Sequence, residues 1–132
     1  NVTGTANTAV GKNALLVNTG DNNTGLGLDA LTANTSGTQN TGLGVGALTA
    51  NTTGDFNTAV GYLALGATTT ADRNTAIGAY ALDAATTAAS NVAVGIAALT
   101  SATTGGSNVA VGDQALSALT TGTNCTAVGH NC

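Results

Sequence analysis

The sequence predicts an all-β protein: a parallel β-solenoid of about eight 17-residue coils, with residues 1–132 forming one domain. Three observations carry this. The segment NTAVGYLAL (Asn57–Leu65) comes back nearly unchanged as NTAIGAYAL (Asn74–Leu82). The same register runs along the whole chain, which is the mark of a repeat architecture. The composition is rich in Gly, Ala and Thr, lacks proline, and is only 6% charged, against roughly 25% in an ordinary soluble domain. With 42% hydrophobic residues and no charge block, disorder does not follow.

The elements follow in chain order within each repeat. It opens on an asparagine and reaches a glycine four places later. The blocks are Asn7–Gly11, Asn23–Gly27, Asn40–Gly44, Asn57–Gly61, Asn74–Gly78, Asn91–Gly95 and Asn108–Gly112, and the eighth runs from Cys125 to Gly129. The first step is 16 residues and the later ones are 17. Stacked coils place like residues about 4.8 Å apart. The asparagines then form a ladder, because each amide both donates and accepts.

After the asparagine come Thr or Val, a small Ala or Gly, and a larger aliphatic, as in Thr58, Ala59 and Val60. This short, partly β-branched run reads as a strand. Alternation puts the small residue on one face and its two neighbours on the other. Either face fits the interior. If the small residues point inward the coil is thin, and the aliphatics turn to another subunit.

An Ala–Leu pair follows each block glycine and reads as a second short extended piece. A TTG-type stretch then returns the chain, where glycine accepts a positive φ. Gly4, Gly20, Gly37, Gly54, Gly105 and Gly122 hold that corner, while Ala71 and Ala88 depart from it. A helix over GYLALGATTTADR is disfavoured by its Thr and Gly content.

Net charge is −4, with Lys12 and Arg73 the only cations. Two cations do not neutralise a phosphate backbone, so nucleic acid is not an expected partner. No apolar run approaches the roughly 20 residues of a membrane span, so membrane insertion of this segment is not expected either. Asp21, Asp29, Asp55, Asp72, Asp83 and Asp113 are scattered as turn and solubility residues, and none is paired for acid–base chemistry. Tyr62 and Tyr80 are candidate sugar- or protein-contacting residues, although local packing also accounts for them. Asn1, Asn22, Asn34, Asn51 and Asn124 open Asn-x-Ser/Thr tripeptides.

Cys125 and Cys132 fall in the last block, in the Asn and Ala registers. A disulfide is expected, within the coil or to a neighbouring chain, clamping a solenoid end. With His130 they are metal ligands in type only, since the spacing of a zinc site is lacking. No metal, cofactor or catalytic residue is expected.

The blocks NTAVG, NTAIG and NVAVG, with the Ala–Leu pair that follows, resemble the head repeats of YadA-like trimeric autotransporter adhesins. Related repeats occur in phage and viral tail fibres. The resemblance covers Gly4 to Cys132. It implies a left-handed parallel β-roll, a homotrimer about a common axis, and an extracellular, cell-surface or virion tail-fibre location. Family coils are usually shorter, which implies that the TTG-side turn is enlarged here. The expected function is therefore a non-catalytic structural or adhesive fibre module. It would self-associate, laterally or end to end into a filament, and meet a host receptor or surface glycan. An ice-binding solenoid, motivated by the many threonines, and a carbohydrate-binding or -active β-helical protein are the alternatives.

Overall fold

The computed structural model describes residues 3–132. Eight three-residue strands form one parallel sheet in chain order: β1 (Thr8–Val10), β2 (Thr24–Leu26), β3 (Thr41–Leu43), β4 (Thr58–Val60), β5 (Thr75–Ile77), β6 (Val92–Val94), β7 (Val109–Val111) and β8 (Thr126–Val128). Each strand pairs with the next in the repeat register, for example Thr58 with Thr75, Ala59 with Ala76 and Val60 with Ile77. The chain is thus a β-solenoid of about seven turns. At about 4.8 Å per coil its eight strands span roughly 34 Å.

The sheet resolves which face is inside. The middle strand residues Gly25, Gly42, Ala59, Ala76, Ala93 and Ala110 are buried, and the flanking residues are partly or largely exposed. The rest of the core is a stack of alanines, from Ala30 to Ala115, and a stack of leucines, from Leu15 to Leu99. Small residues suit this interior because the two walls of one coil lie close together. The fully buried large aliphatic side chains are the six of the leucine stack.

The expected second strand does not form. The Ala–Leu pair lies in a turn, and the leucines take left-handed φ values, such as +53° at Leu65 and +52° at Leu82. That conformation costs on the order of 1 kcal/mol for a residue with a Cβ. Burial of the leucine offsets it, at about 1.5–3 kcal/mol for a full side chain. The turn still bonds between coils. Leu65 N–H donates to Ala81 O at 3.0 Å, while Gly61 N–H donates to Leu43 O at 2.8 Å. Inter-coil bonds therefore run in both directions along the rod.

The block glycines are forced. Gly61 has φ +134°, and a Cβ there would lie 2.7 Å from the carbonyl of Gly78. The short first coil also has a location. Asn18 and Gly20 are two residues apart, where the later turns Asn34–Gly37 and Asn51–Gly54 use three.

Candidate functional site

Two features qualify as candidates: the polar ladders that brace the rod and the sheet face that it presents. The expected asparagine ladder forms. Asn40, Asn57, Asn74 and Asn91 are fully buried. Each Oδ1 accepts the backbone N–H of its counterpart in the next coil, as from Asn40 to Asn23 and from Asn57 to Asn40 at 2.9 Å, and from Asn91 to Asn74 at 3.0 Å. Each Nδ2 donates across the coil to the corner carbonyl, from Asn57 to Ala71 O at 2.7 Å and from Asn108 to Gly122 O at 2.8 Å. One side chain thus ties a coil to its neighbour and closes its own coil. Asn7 and Asn23 make the same pair of contacts. In the last coil the Cys125 N–H still donates to Asn108 Oδ1, but no amide continues the ladder.

Two further ladders escape a reading of the block alone. Asn18, Asn34 and Asn51 are buried beneath the corner, and Nδ2 of each later one donates to Oδ1 of the one before. Asn34 and Asn51 also donate to their corner carbonyls Gly37 O and Gly54 O, at 2.9 and 3.0 Å. The same register continues as Thr68, Ala85, Ala102 and Leu119, so this ladder stops midway. At the stop, Asn51 Oδ1 and Thr68 Oγ1 are buried without a hydrogen-bond partner among the described residues.

The third ladder is Thr19, Thr35, Thr52, Thr69, Thr86 and Thr103, whose hydroxyls donate to the backbone carbonyl of the next coil's threonine. Its signal was present in the sequence: a threonine holds this place in every coil, through Thr120.

The corner position is crowded from two sides, by the backbone carbonyl of the next coil and, in some coils, by the side chain beneath it. A Cβ on Gly54 would stand 2.6 Å from Asn51 Oδ1 and closer still to Ala71 O, and one on Gly37 would meet both Asn34 Oδ1 and Gly54 O. In the last coil a Cβ on Gly122 would lie 2.5 Å from Leu119 Cδ1. Ala71 and Ala88 occur where the neighbour is the smaller Thr68 or Ala85. Gly105 follows Ala102, and there the carbonyl of Gly122 is the close neighbour.

Burial also sorts the tripeptides. Asn34 and Asn51 are inside the folded rod and closed to modification, whereas Asn22 and Asn124 are exposed. Asn1 lies outside the described residues.

The expected disulfide does not form within the chain. Cys125 and Cys132 are free thiols. They occupy registers on different stretches of the coil, and each turns to a carbonyl of its own turn, Thr123 O at 3.5 Å and Gly129 O at 3.1 Å. Among the described residues no three His, Cys, Asp or Glu side chains gather as a metal-binding group.

The acids are structural at the corner. Asp21 Oδ1 accepts from the backbone N–H and hydroxyl of Thr5, at 2.6 and 3.0 Å, and Asp55 does the same for Thr38. The backbone bond from Thr5, then its hydroxyl, lowers the pKa of Asp21. Burial raises that of Asp83. His130 Nδ1 lies 3.2 Å from Asp113 Oδ2, an exposed pair of small energetic weight.

The surface that remains is the outward face of the sheet. Its aliphatic column includes Val10, Leu26, Leu43, Ile77, Val111 and Val128, all exposed. Beside it lies a column that includes Leu28, Val45, Tyr62 and Ile96, which are exposed too. Tyr62 and Tyr80 meet edge to face, with ring centroids 5.3 Å apart, so the repeat brings them together although they hold different places in their coils. The rod has no cavity among the described residues. This face offers contact area instead of an enclosed site. Comparison with protein families, with curated proteins and with solved structures finds no match.

Proposed function

We propose that this chain is a non-catalytic structural module of an extracellular fibre, of the surface-adhesin or tail-fibre kind, which assembles by lateral association of copies. The observation that carries the reading is the aliphatic column on the outward sheet face, which leaves Val10, Leu26, Leu43 and Ile77 each 40% exposed or more. Contiguous apolar surface on a soluble rod marks an interaction face. The polar atoms of the interior are spent on bracing the coil, which suits a scaffold. The family that the repeat resembles assembles as trimers, and a host receptor or surface glycan would meet the outer turns.

Mass measurement in solution, with electron microscopy of the same sample, tests this. The expected result is a multimer whose rods lie side by side. A monomer at every concentration, or a folded Ile77→Asp variant that assembles as well as the parent, would overturn the reading.

An ice-binding solenoid is the second reading. The exposed hydroxyls of Ser36, Thr53, Thr70, Thr87, Thr104 and Thr121, one per coil, favour it. Absence of thermal hysteresis removes it.

A further inference from the structure

Two rungs of the rod differ from the others. The chain has three aromatic residues and one arginine, and all four stand in the rungs of β4 and β5. Phe56 precedes β4 and Arg73 precedes β5, one coil apart in one column, at the margin where strands begin. Tyr62 and Tyr80 follow the same strands, at the margin where strands end. All four are exposed. Asp83 joins the tyrosines. A Cβ on Gly66 would lie 2.6 Å from Asp83 Oδ1 and 3.6 Å from Leu63 Cβ, so the carboxylate reaches over the preceding coil, beside the residue after Tyr62. Of the six acids, Asp83 alone has a carboxylate without a bond or ion pair among the described residues. The others accept from Thr5, Asn13, Thr38 or the Asp55 N–H, or lie against His130. Burial raises the pKa of Asp83. Arg73 has no ion pair among the described residues either. Seven residue steps, up to about 23 Å, keep it from the tyrosine margin of its own chain.

We propose that Arg73 of one copy is received by Tyr62, Tyr80 and Asp83 of a neighbouring copy that runs in the same direction with its rungs level. This rests on the lateral association proposed above and adds its direction, its register and one named contact. In a ring of such copies, the margin where strands begin on one lies beside the margin where strands end on the next. The two halves of the contact stand on opposite margins of the same pair of rungs. Each copy therefore gives one arginine and receives one, as a closed ring requires. A guanidinium suits the receiving side, because one planar group stacks on aromatic faces and donates to a carboxylate. Asp83 then gains the donors that its own chain does not supply. In the rung of β4, Phe56 comes level with Tyr62 of the neighbour. Tyr and Arg are the residues that concentrate binding energy at such interfaces.

The remaining charges accept this arrangement. Asp21, Asp55 and Asp72 stand with Arg73 at the starting margin, and Lys12, Asp29, Asp113 and His130 stand with Asp83 at the other. Two like pairs come level between copies, Asp21 with Asp29 and Asp72 with Asp83. Each has a cation at hand: Lys12 lies one coil, about 4.8 Å, from the first, and Arg73 sits within the second. Asp113 and His130 pair with each other and face the uncharged Ser107 and Asn124. Copies running in opposite directions would set each margin against itself. Arg73 would then face only Asp21, Asp55 and Asp72, which are already bonded in their own chains.

Sedimentation of the full chain tests this, with folding checked by circular dichroism. Arg73→Ser and Asp83→Thr place there the residues that the next coil carries in the same columns, Ser90 and Thr100, so the rod should stay folded. Each should weaken assembly about tenfold. Arg73→Asp alone should weaken it further, and Arg73→Asp combined with Asp83→Arg should restore it. In the Arg73→Lys variant, carbodiimide treatment should join position 73 to Asp83 of a second copy, as mapped in the cross-linked band. Three results would overturn the contact while leaving lateral association standing: variants that assemble as well as the parent, a charge exchange that restores nothing, or linkage of position 73 to another acid of a second copy. A monomer at all concentrations would overturn both.

Discussion

At the residue scale the rod depends on side chains that act as backbone. Asn57 accepts from Asn74 N–H at 3.0 Å and donates to Ala71 O at 2.7 Å, and its side chain is fully buried. Asn57→Ala should therefore destabilise by about 2–4 kcal/mol in chemical unfolding, since each orphaned buried group costs about 1–3 kcal/mol. Asn57→Asp should fare no better, because it keeps the acceptor but loses the donor and buries a charge. The acids give a pH signature in two windows about the ordinary carboxylate value of 3.8. Asp21 has a lowered folded pKa, so its stabilisation is present above 3.8 and is lost as pH falls through the folded value. Asp83 has a raised one, so its ionisation weakens the fold above 3.8 and protonation relieves this. Thermal melts of Asp21→Asn should lose part of the acid limb, and melts of Asp83→Asn should lose the gain on approach to 3.8 from above.

At the element scale the unit is one coil, and its internal pairing is steric as well as polar. The halted second ladder makes this testable. Thr68→Asn alone places an amide where Ala71 already fills the corner and should destabilise. Combined with Ala71→Gly it reproduces the Asn51–Gly54 arrangement and offers Asn51 Oδ1 a donor. The double-mutant cycle should show favourable coupling of at least about 1 kcal/mol by denaturant midpoints, within the usual range for contacting residues. Much of the coil was legible in the sequence. The block asparagines, the block glycines and the strand at TAV follow from the period and from residue chemistry. The second strand was not legible, because alternation does not reveal that Leu65 and Leu82 take a positive φ. The buried Asn34 and Asn51 were masked by their resemblance to surface tripeptides. The disulfide was suggested by residue type alone, and no property of the sequence reports where a thiol points.

At the scale of the whole molecule every strand touches only its sequence neighbours. Stability is then close to a sum over coils and the interfaces between them. Removal of residues 57–73, one full repeat, should leave a shorter rod with a native circular dichroism spectrum and a modestly lower melting temperature. Removal of residues 57–65 alone breaks the register and should abolish cooperative melting. The outward face was only half legible. Its aliphatic spacing was visible in the sequence, but the choice of inward and outward columns needed the closed coil, in which Ala59 and Ala76 are buried and Ile77 is not.

The placing of each buried asparagine and its corner glycine in the same coil, Asn34 with Gly37 and Asn51 with Gly54, has a consequence for how such a gene can lengthen. A tandem duplication of one repeat copies the large side chain together with the glycine that makes room for it. The new rung arrives already compatible with itself, so rod length can drift by unequal crossing-over with little need for compensating change elsewhere.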